Sequence, residues 1–437
     1  MSNTDFKVTT IVLALLACSP GVAGAQMAAP SARSAGLADS YVGRARGYES
    51  PFWNPANLGL SDRPGWSIGL AGANAYLDNN SLSYGQIEDL YGEYLDDATK
   101  SELLAEIRGV DGDGMLELSA DLGATGMAFS IWRFAFGVGA TGSTALAVSP
   151  DAAELILFGN MGEDGTGRDF TLDGSHGDGW GLSSVYVSYA QPFTIPALDY
   201  LDMKFSIGAT VKYGVAHGLY RAADQGTALT YDPLVLDVDA EVLNSTEFNA
   251  GSVWAADLGA AMEWGSLVAG ISVIDAFSNI QWDEEAFELK RYTAHADFDS
   301  ATSTDTTLAF SELTLADQER VSEYLQGADV PKKLRLGAAW RMGSMLSLSA
   351  DYLELLGGSL NARWERQLSA GAELRLLSVV PLRAGLATDF NSLAVTGGFG
   401  LYAGPVHLDF AAGRWGIGAG DGVALALSLS VWPGTGY

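Results

Sequence analysis

Side chains that perform chemistry are present in this sequence but are not grouped to perform it. The four histidines, His176, His217, His295 and His407, are far apart and show no metal-ligand spacing. The only cysteine is Cys18, and no Ser, Cys or His set suited to nucleophilic catalysis is visible. Gly137-Val138-Gly139-Ala140-Thr141-Gly142 matches the dinucleotide fingerprint as a string, yet it lies in an alternating stretch with no helix pattern after it. Asp111-Gly112-Asp113-Gly114 opens like a calcium loop and fails at Met115, where a third oxygen ligand belongs. The loop from Gly162 to Gly181, with Asp164, Asp169, Asp173 and Asp178, is either a weak calcium site or a polar loop. These observations predict no enzyme, no cofactor and no resident metal.

The remaining chemistry is charge carried on alternating stretches. Period-two counting places Lys204 and Lys212, Lys333 and Arg335, Glu373 and Arg375, Arg383 and Asp389, and His407 and Asp409 on the faces opposite their large apolar neighbours. One reading is an interior charge network that braces the fold. The other gives Lys212, Arg335, Arg383 and His407 to an amphipathic ligand, with the cations meeting its carboxylate. The network is the favoured reading.

Those faces belong to strands. In the last of them Val423, Leu425, Leu427, Leu429 and Val431 oppose Ala424, Ala426, Ser428 and Ser430. Before it, Val406, Leu408 and Phe410 oppose His407 and Asp409, and Leu393, Val395, Phe399 and Leu401 oppose Ala394, Thr396, Gly398 and Gly400. The apolar face is large and aliphatic and the other small or charged, as expected for lipid outside and a wet lumen inside. About fourteen strands are predicted: 66–75, 114–130, 133–148, 179–192, 202–217, 251–264, 267–275, 332–341, 345–354, 363–376, 380–389, 393–402, 405–413 and 422–432. Long and tight connections alternate between them, the rhythm of an up-and-down barrel with long outer loops and short periplasmic turns. Trp132, Phe193, Trp264, Trp340, Tyr402 and Trp432 stand at the tight ends, where a periplasmic aromatic girdle would lie. Two long loops carry helical patterns, one opened by a capping box of Thr99 and Glu102, the other from Leu315 to Gln326.

Hydrophobic residues make up 48% of the 437, yet the only continuous apolar run, Val8 to Cys18, is too short to cross a bilayer as a helix. With Lys7 before it and Ala23-Gly24-Ala25 after it, the run predicts a signal peptide over 1–25, cleaved before Gln26. The alternative is a lipoprotein site at Leu15-Leu16-Ala17-Cys18. Acidic residues exceed basic ones by 53 to 24, which argues against nucleic acid as a partner. Many of the acids fall in the long loops, among them Glu88, Asp89, Glu93, Asp96 and Asp97. Residues 26–65 have no sustained period but hold Phe52-Trp53-Asn54-Pro55-Ala56-Asn57-Leu58-Gly59, whose aromatics would be costly to leave in water. They are expected to fill the lumen as a plug, with Trp53, Asn54, Pro55, Ala56 and Asn57 as its motif, ahead of a barrel over 66–437.

With Asn54-Pro55-Ala56 shortly after the signal, about fourteen strands and a large early helical loop, the chain resembles the FadL-like outer-membrane transport superfamily. The form Phe52 to Gly59 looks closest to its TraF-like, PorV-like and functionally unassigned branch. The resemblance implies an N-terminal hatch inside the barrel, hydrophobic substrates held near the outer loops and a lateral opening that releases them into the membrane. The fold expected is therefore an all-β transmembrane antiparallel barrel of the cell outer membrane, with outer-membrane lipids around it. The function expected is passive uptake of a hydrophobic or amphipathic small molecule. The alternative is a platform for a secretion-system, conjugation or envelope-assembly protein, built on the acidic loops and their helices.

Overall fold

The computed structural model describes residues 31–83, 95–109, 114–360, 365–377, 379–417 and 420–433. Among them fourteen long strands run in order: β1 (Trp66–Asn79), β2 (Leu116–Ile131), β3 (Phe134–Val148), β4 (His176–Phe193), β5 (Met203–Asp224), β6 (Gly251–Trp264), β7 (Leu267–Trp282), β8 (Lys332–Met342), β9 (Leu346–Gly357), β10 (Arg366–Leu377), β11 (Val380–Thr388), β12 (Leu393–Ala403), β13 (Val406–Ile417) and β14 (Gly422–Val431). Each pairs antiparallel with its neighbours in the chain. β1 also pairs with β14, from Ile68 opposite Val431 to Leu77 opposite Val423, so the sheet closes and has no free edge.

The alternation read from the sequence carries through the wall. Leu425 and Leu427 face out and are exposed, whereas Ala426, Ser428 and Ser430 face in and are buried. No helix among the described residues is long and apolar enough to cross a membrane, and the crossing is made by strands. A closed barrel leaves no backbone polar group unpaired in hydrocarbon, and one with an aliphatic exterior belongs in the outer membrane. Trp66, Trp132, Phe193, Trp264 and Trp340 are exposed at the periplasmic ends, as a girdle requires. Tyr402 and Trp432 depart from that expectation: both point inward and are buried, because each pairs with polar and aromatic groups inside the barrel.

The sequence reading stopped too early at the extracellular ends. β5 and β7 continue well past the residues expected, and further strands, Ala228–Thr230, Val235–Ser245, Phe287–Ala296 and Ala301–Ala309, rise from the loops. The register shifts in the β7–β6 pairing between Val273 and Phe277, where β7 takes two more residues than β6 and the alternation is interrupted before it resumes. Ala301–Ala309 is wetted on both faces and so carries no apolar period. Helices are few: α1 (Ala32–Ala35), α2 (Ser50–Trp53), α3 (Asp97–Arg108), α4 (Pro150–Phe158) and α5 (Leu315–Gly327). α3 is capped by Asp96, whose carboxylate accepts from the Thr99 N–H, and not by the expected Thr99–Glu102 box. Leu313, Val321 and Leu325, in and before α5, pack with Trp180, Leu182, Leu219 and Val253 of the strands into an apolar cluster at the extracellular mouth.

Candidate functional site

Residues 31–60 lie inside the barrel and are bonded to its wall on many sides. The Ala32 N–H donates to Ser428 Oγ on β14, the Ala38 N–H to Thr396 Oγ1 on β12 and the Tyr48 N–H to Ser67 Oγ on β1. On β9, Asp351 Oδ2 accepts the N–H groups of both Tyr41 and Val42 at 2.6 Å. On β7, Ser272 Oγ donates to the Trp53 carbonyl. A segment without periodic structure has backbone groups to satisfy, and inward serine, threonine and aspartate side chains do so.

The Asn-Pro-Ala-Asn sequence has a local reason. Asn54 Oδ1 accepts from the Ala56 N–H and caps the short 3₁₀ turn Pro55–Gly59, with proline at its first position. Asn54 Nδ2 donates to the Ala260 carbonyl on β6, tying the turn to the wall. Asn57 Nδ2 donates to the carbonyls of Val42 and Ala45 at 2.7 and 3.0 Å, tying it to the rest of the segment. Trp53 is fully buried between Tyr41, at 5.6 Å edge to face, and Arg335, whose guanidinium lies 4.3 Å from the indole centre.

The four predicted ligand contacts all point inward, and all are engaged by protein groups. Lys212 Nζ sits 2.8 Å from both Asp257 Oδ1 and Asp275 Oδ1. Arg383 donates to Glu373 and Asp409 at 2.8 Å and to the Tyr402 hydroxyl at 2.7 Å. His407 stacks on Tyr402 with ring centres 3.7 Å apart, and its Nδ1 is 3.3 Å from Arg33 Nη2. Arg33 and Arg44 of the segment complete the network: Arg33 Nη2 donates to Tyr402 at 2.8 Å, and Arg44 pairs with Glu373 at 3.0 Å. The structure thus joins Arg383 and His407 in one cluster and places Lys212 in another. Period-two counting finds Asp257 and Asp351 as readily as Lys212, but Arg33, Arg44 and Glu49, whose carboxylate accepts from the Tyr41 hydroxyl at 2.8 Å and lies 3.7 Å from Arg33, belong to the segment that has no period and give no sequence signal.

Other expectations are corrected. Asp389 does not face the lumen; it caps the β11–β12 turn by accepting from the N–H groups of Asn391 and Ser392. Lys204, at the periplasmic end of β5, is exposed. The acids of the Gly162–Gly181 loop do not converge: Asp164 accepts from Thr166 and Asp169 from Tyr231, and the described residues hold no group of three that could bind a metal. Asp111, Asp113, Glu88, Asp89, Glu93 and residues 1–30 lie outside the described residues.

Two cavities meet at one patch of wall. Inside, a void of about 20 Å³ is lined by Pro51, Phe52, Ser184, Tyr186, Thr210 and Lys212, with Ala124 and Gly139 to Thr141 behind them. Outside, a concavity of about 1140 Å³ lies among Leu382, Phe399, Phe410, Leu425 and Leu427, and its floor includes Ala73, Ala75, Gly123, Ala124, Ala140 and Thr141. Ala124, Ala140 and Thr141 border both. In the wall Ala124 pairs with Ala140 and Gly123 with Thr141, and the β2–β3 register shifts just below, between Thr125 and Ala128. No bulky side chain thickens the barrel here.

No protein-family model matches the sequence, and no curated protein does. Solved structures do. The toluene transporter TbuX of Ralstonia pickettii is 13% identical over 91% of this chain and 97% of its own, with a TM-score of 0.46. A FadL homologue from Pseudomonas aeruginosa is 14% identical over 94% and 100%, at 0.47, and the Pseudomonas putida toluene transporter TodX 12% identical over 93% and 98%, at 0.47. The chain is similar to FadL-type barrels. The finer likeness to the TraF-like and PorV-like branch rests on Phe52 to Gly59 alone.

Proposed function

We propose that this FadL-like barrel takes up small hydrophobic molecules at its extracellular mouth and delivers them into the bilayer through the wall between β2 and β3. The observation that carries the reading is the patch of Gly123, Ala124, Ala140 and Thr141, which separates an interior void from a lipid-facing concavity by one layer of small residues. A molecule released there enters hydrocarbon directly and never crosses a water-filled pore. Residues 26–65 are the hatch that keeps the lumen from being a general porin, cleaved from a signal peptide over 1–25. Arg335, Arg383 and His407 brace that hatch through Trp53 and Arg33, while Lys212 ties β5 to β6 and β7 through Asp257 and Asp275, so the charges and rings of all four are already engaged.

The test is uptake of a fluorescent hydrophobic probe by cells carrying Ala140→Trp, which thickens the patch from the lipid side, beside Leu401→Trp, which places the same side chain on the lipid face away from it. Uptake at least several-fold slower in Ala140→Trp alone is expected. Equal rates in the two variants and the parent would end the proposal.

A further inference from the structure

We propose that the loop between β3 and β4 rests on the outer leaflet, and that a cavity beneath α4, on the outside of the barrel, holds an acyl chain of an outer-leaflet lipid. The cavity measures about 170 Å³ and is lined by Leu146, Val148, Ala152, Ile156, Tyr220 and Val242, among others. Its side of the wall follows from register. β3 pairs with β4 without a shift from Phe134 opposite Tyr189 to Ala147 opposite His176, so Leu146 and Val148 share the face of Phe134, Phe136 and Val138, which point at lipid. Gly177 stands opposite Leu146 and Ala222, placing Ala222 on that outer face as well.

Depth follows from strand length. An apolar band about 25 Å tall takes roughly ten residues of a tilted strand. Counted up from the aromatic end at Phe134, that span reaches Thr144, so the cavity begins where acyl chains meet headgroups. α4 is suited to that level. Its two acids are held on the protein side, Asp151 by Arg168 at 2.7 Å and Glu154 by Arg108 at 2.5 Å, while Ile156 lines the cavity and stays 44% exposed. Met161 just beyond is exposed too. The polar groups at the rim are already bonded: Asp224 accepts from the Gly226 and Thr227 N–H groups, and Glu241 pairs with Arg291 and Arg320. The apolar lining is continuous with the lipid-facing wall, and a hydrocarbon chain is the medium available to fill it. The glycine at 177 leaves the floor open: a Cβ there would sit 3.6 Å from Leu146 Cδ1 and 3.8 Å from Tyr220, in ordinary contact.

The proposal is tested on the full chain with Cys18→Ser, carrying a nitroxide at Ile156→Cys or Met161→Cys, in phosphatidylethanolamine–phosphatidylglycerol vesicles. Both labels are expected to be relaxed by oxygen and shielded from a nickel chelate, like one at Leu427→Cys on the lipid face and unlike one at Phe298→Cys, on the fully exposed hairpin tip. Native mass spectrometry after detergent extraction is expected to find one retained phospholipid per barrel, lost in Gly177→Val while the heat-modifiable gel shift of the folded barrel persists. Chelate access at Ile156 equal to that at Phe298, or a lipid count unchanged by Gly177→Val, would overturn it.

Discussion

Arg383 shows what the interior charges do. Its guanidinium is fully buried, and Glu373, Asp409 and Tyr402 account for its polar contacts. Removing one partner of such a set leaves the others charged in a low-dielectric interior, at a cost of about 3–5 kcal/mol. Arg383→Met is therefore expected to lower the unfolding free energy read from urea titration by that order, and adding Asp409→Asn to recover part of the loss. A single variant as stable as the parent would show that the charges are not mutually dependent. Asp351 makes the same point with backbone partners. Asp351→Ala strands the N–H groups of Tyr41 and Val42, each costing about 1–3 kcal/mol when buried and unpaired. The expected result is earlier proteolysis of residues 31–60, read by mass spectrometry, with the barrel intact. That these side chains point inward was legible in the sequence, because period two leaves no other face for them. Which groups they meet was not, because Arg33, Arg44, Glu49 and the Tyr41 amide lie in a segment whose course is set by the cavity around it.

Among the elements, the strands were legible wherever one face meets lipid and the other the lumen. The reading failed where that contrast ends. Above the membrane both faces of Ala301–Ala309 are wet, and between Val273 and Phe277 a bulge of two extra residues interrupts the alternation. The seating of the N-terminal segment was hidden for another reason: it depends on glycines whose role appears only in three dimensions. A Cβ on Gly208 would fall 2.5 Å from the backbone of Pro55 and Ala56, and one on Gly385 would fall 2.3 Å from the Leu37 backbone. Both strands bring backbone against backbone, so neither clash can be relieved by a side-chain rotation. Gly208→Val is thus expected to lift the Asn54–Gly59 turn from the wall without breaking the β5 ladder, since valine suits a strand. In planar bilayers the variant should conduct ions severalfold better than the parent while keeping its heat-modifiable gel shift. Conductance equal to the parent's would mean that the turn does not obstruct the lumen.

For the molecule as a whole, the excess of acid over base divides by location. Inside, Asp257, Asp275, Glu373 and Asp409 are matched to lysine and arginine, and Asp351 to backbone N–H groups. Outside, they organise the loops that the platform reading would offer to a partner: Asp317 of α5 pairs with Arg291 and Arg320, which also hold Glu241. Hydrogen bonds from Thr314 and Arg291 draw the Asp317 carboxyl down to about 2, so its contribution is present above the ordinary aspartate range and is lost as pH falls toward 2. His295 has the opposite sign. A hydrogen bond to Asp237 at 2.6 Å, with Asp297 3.6 Å from its other nitrogen, raises its pKa above the usual imidazole value. What protonated His295 contributes is therefore complete below about 6.5 and disappears as pH rises through the raised value. Both contributions are complete together between roughly pH 4 and 6.5, and each declines outside that window toward its folded-state value. Amide exchange followed by mass spectrometry is expected to quicken on the acid side in Leu315–Gly327, and on the alkaline side in Phe287–Ala296 and Ala301–Ala309, with β11 to β14 unchanged throughout. His295→Gln should abolish the alkaline rise and leave the acid one. Exchange in the hairpin that is flat from pH 5 to 9 in the parent would show that His295 does not hold it.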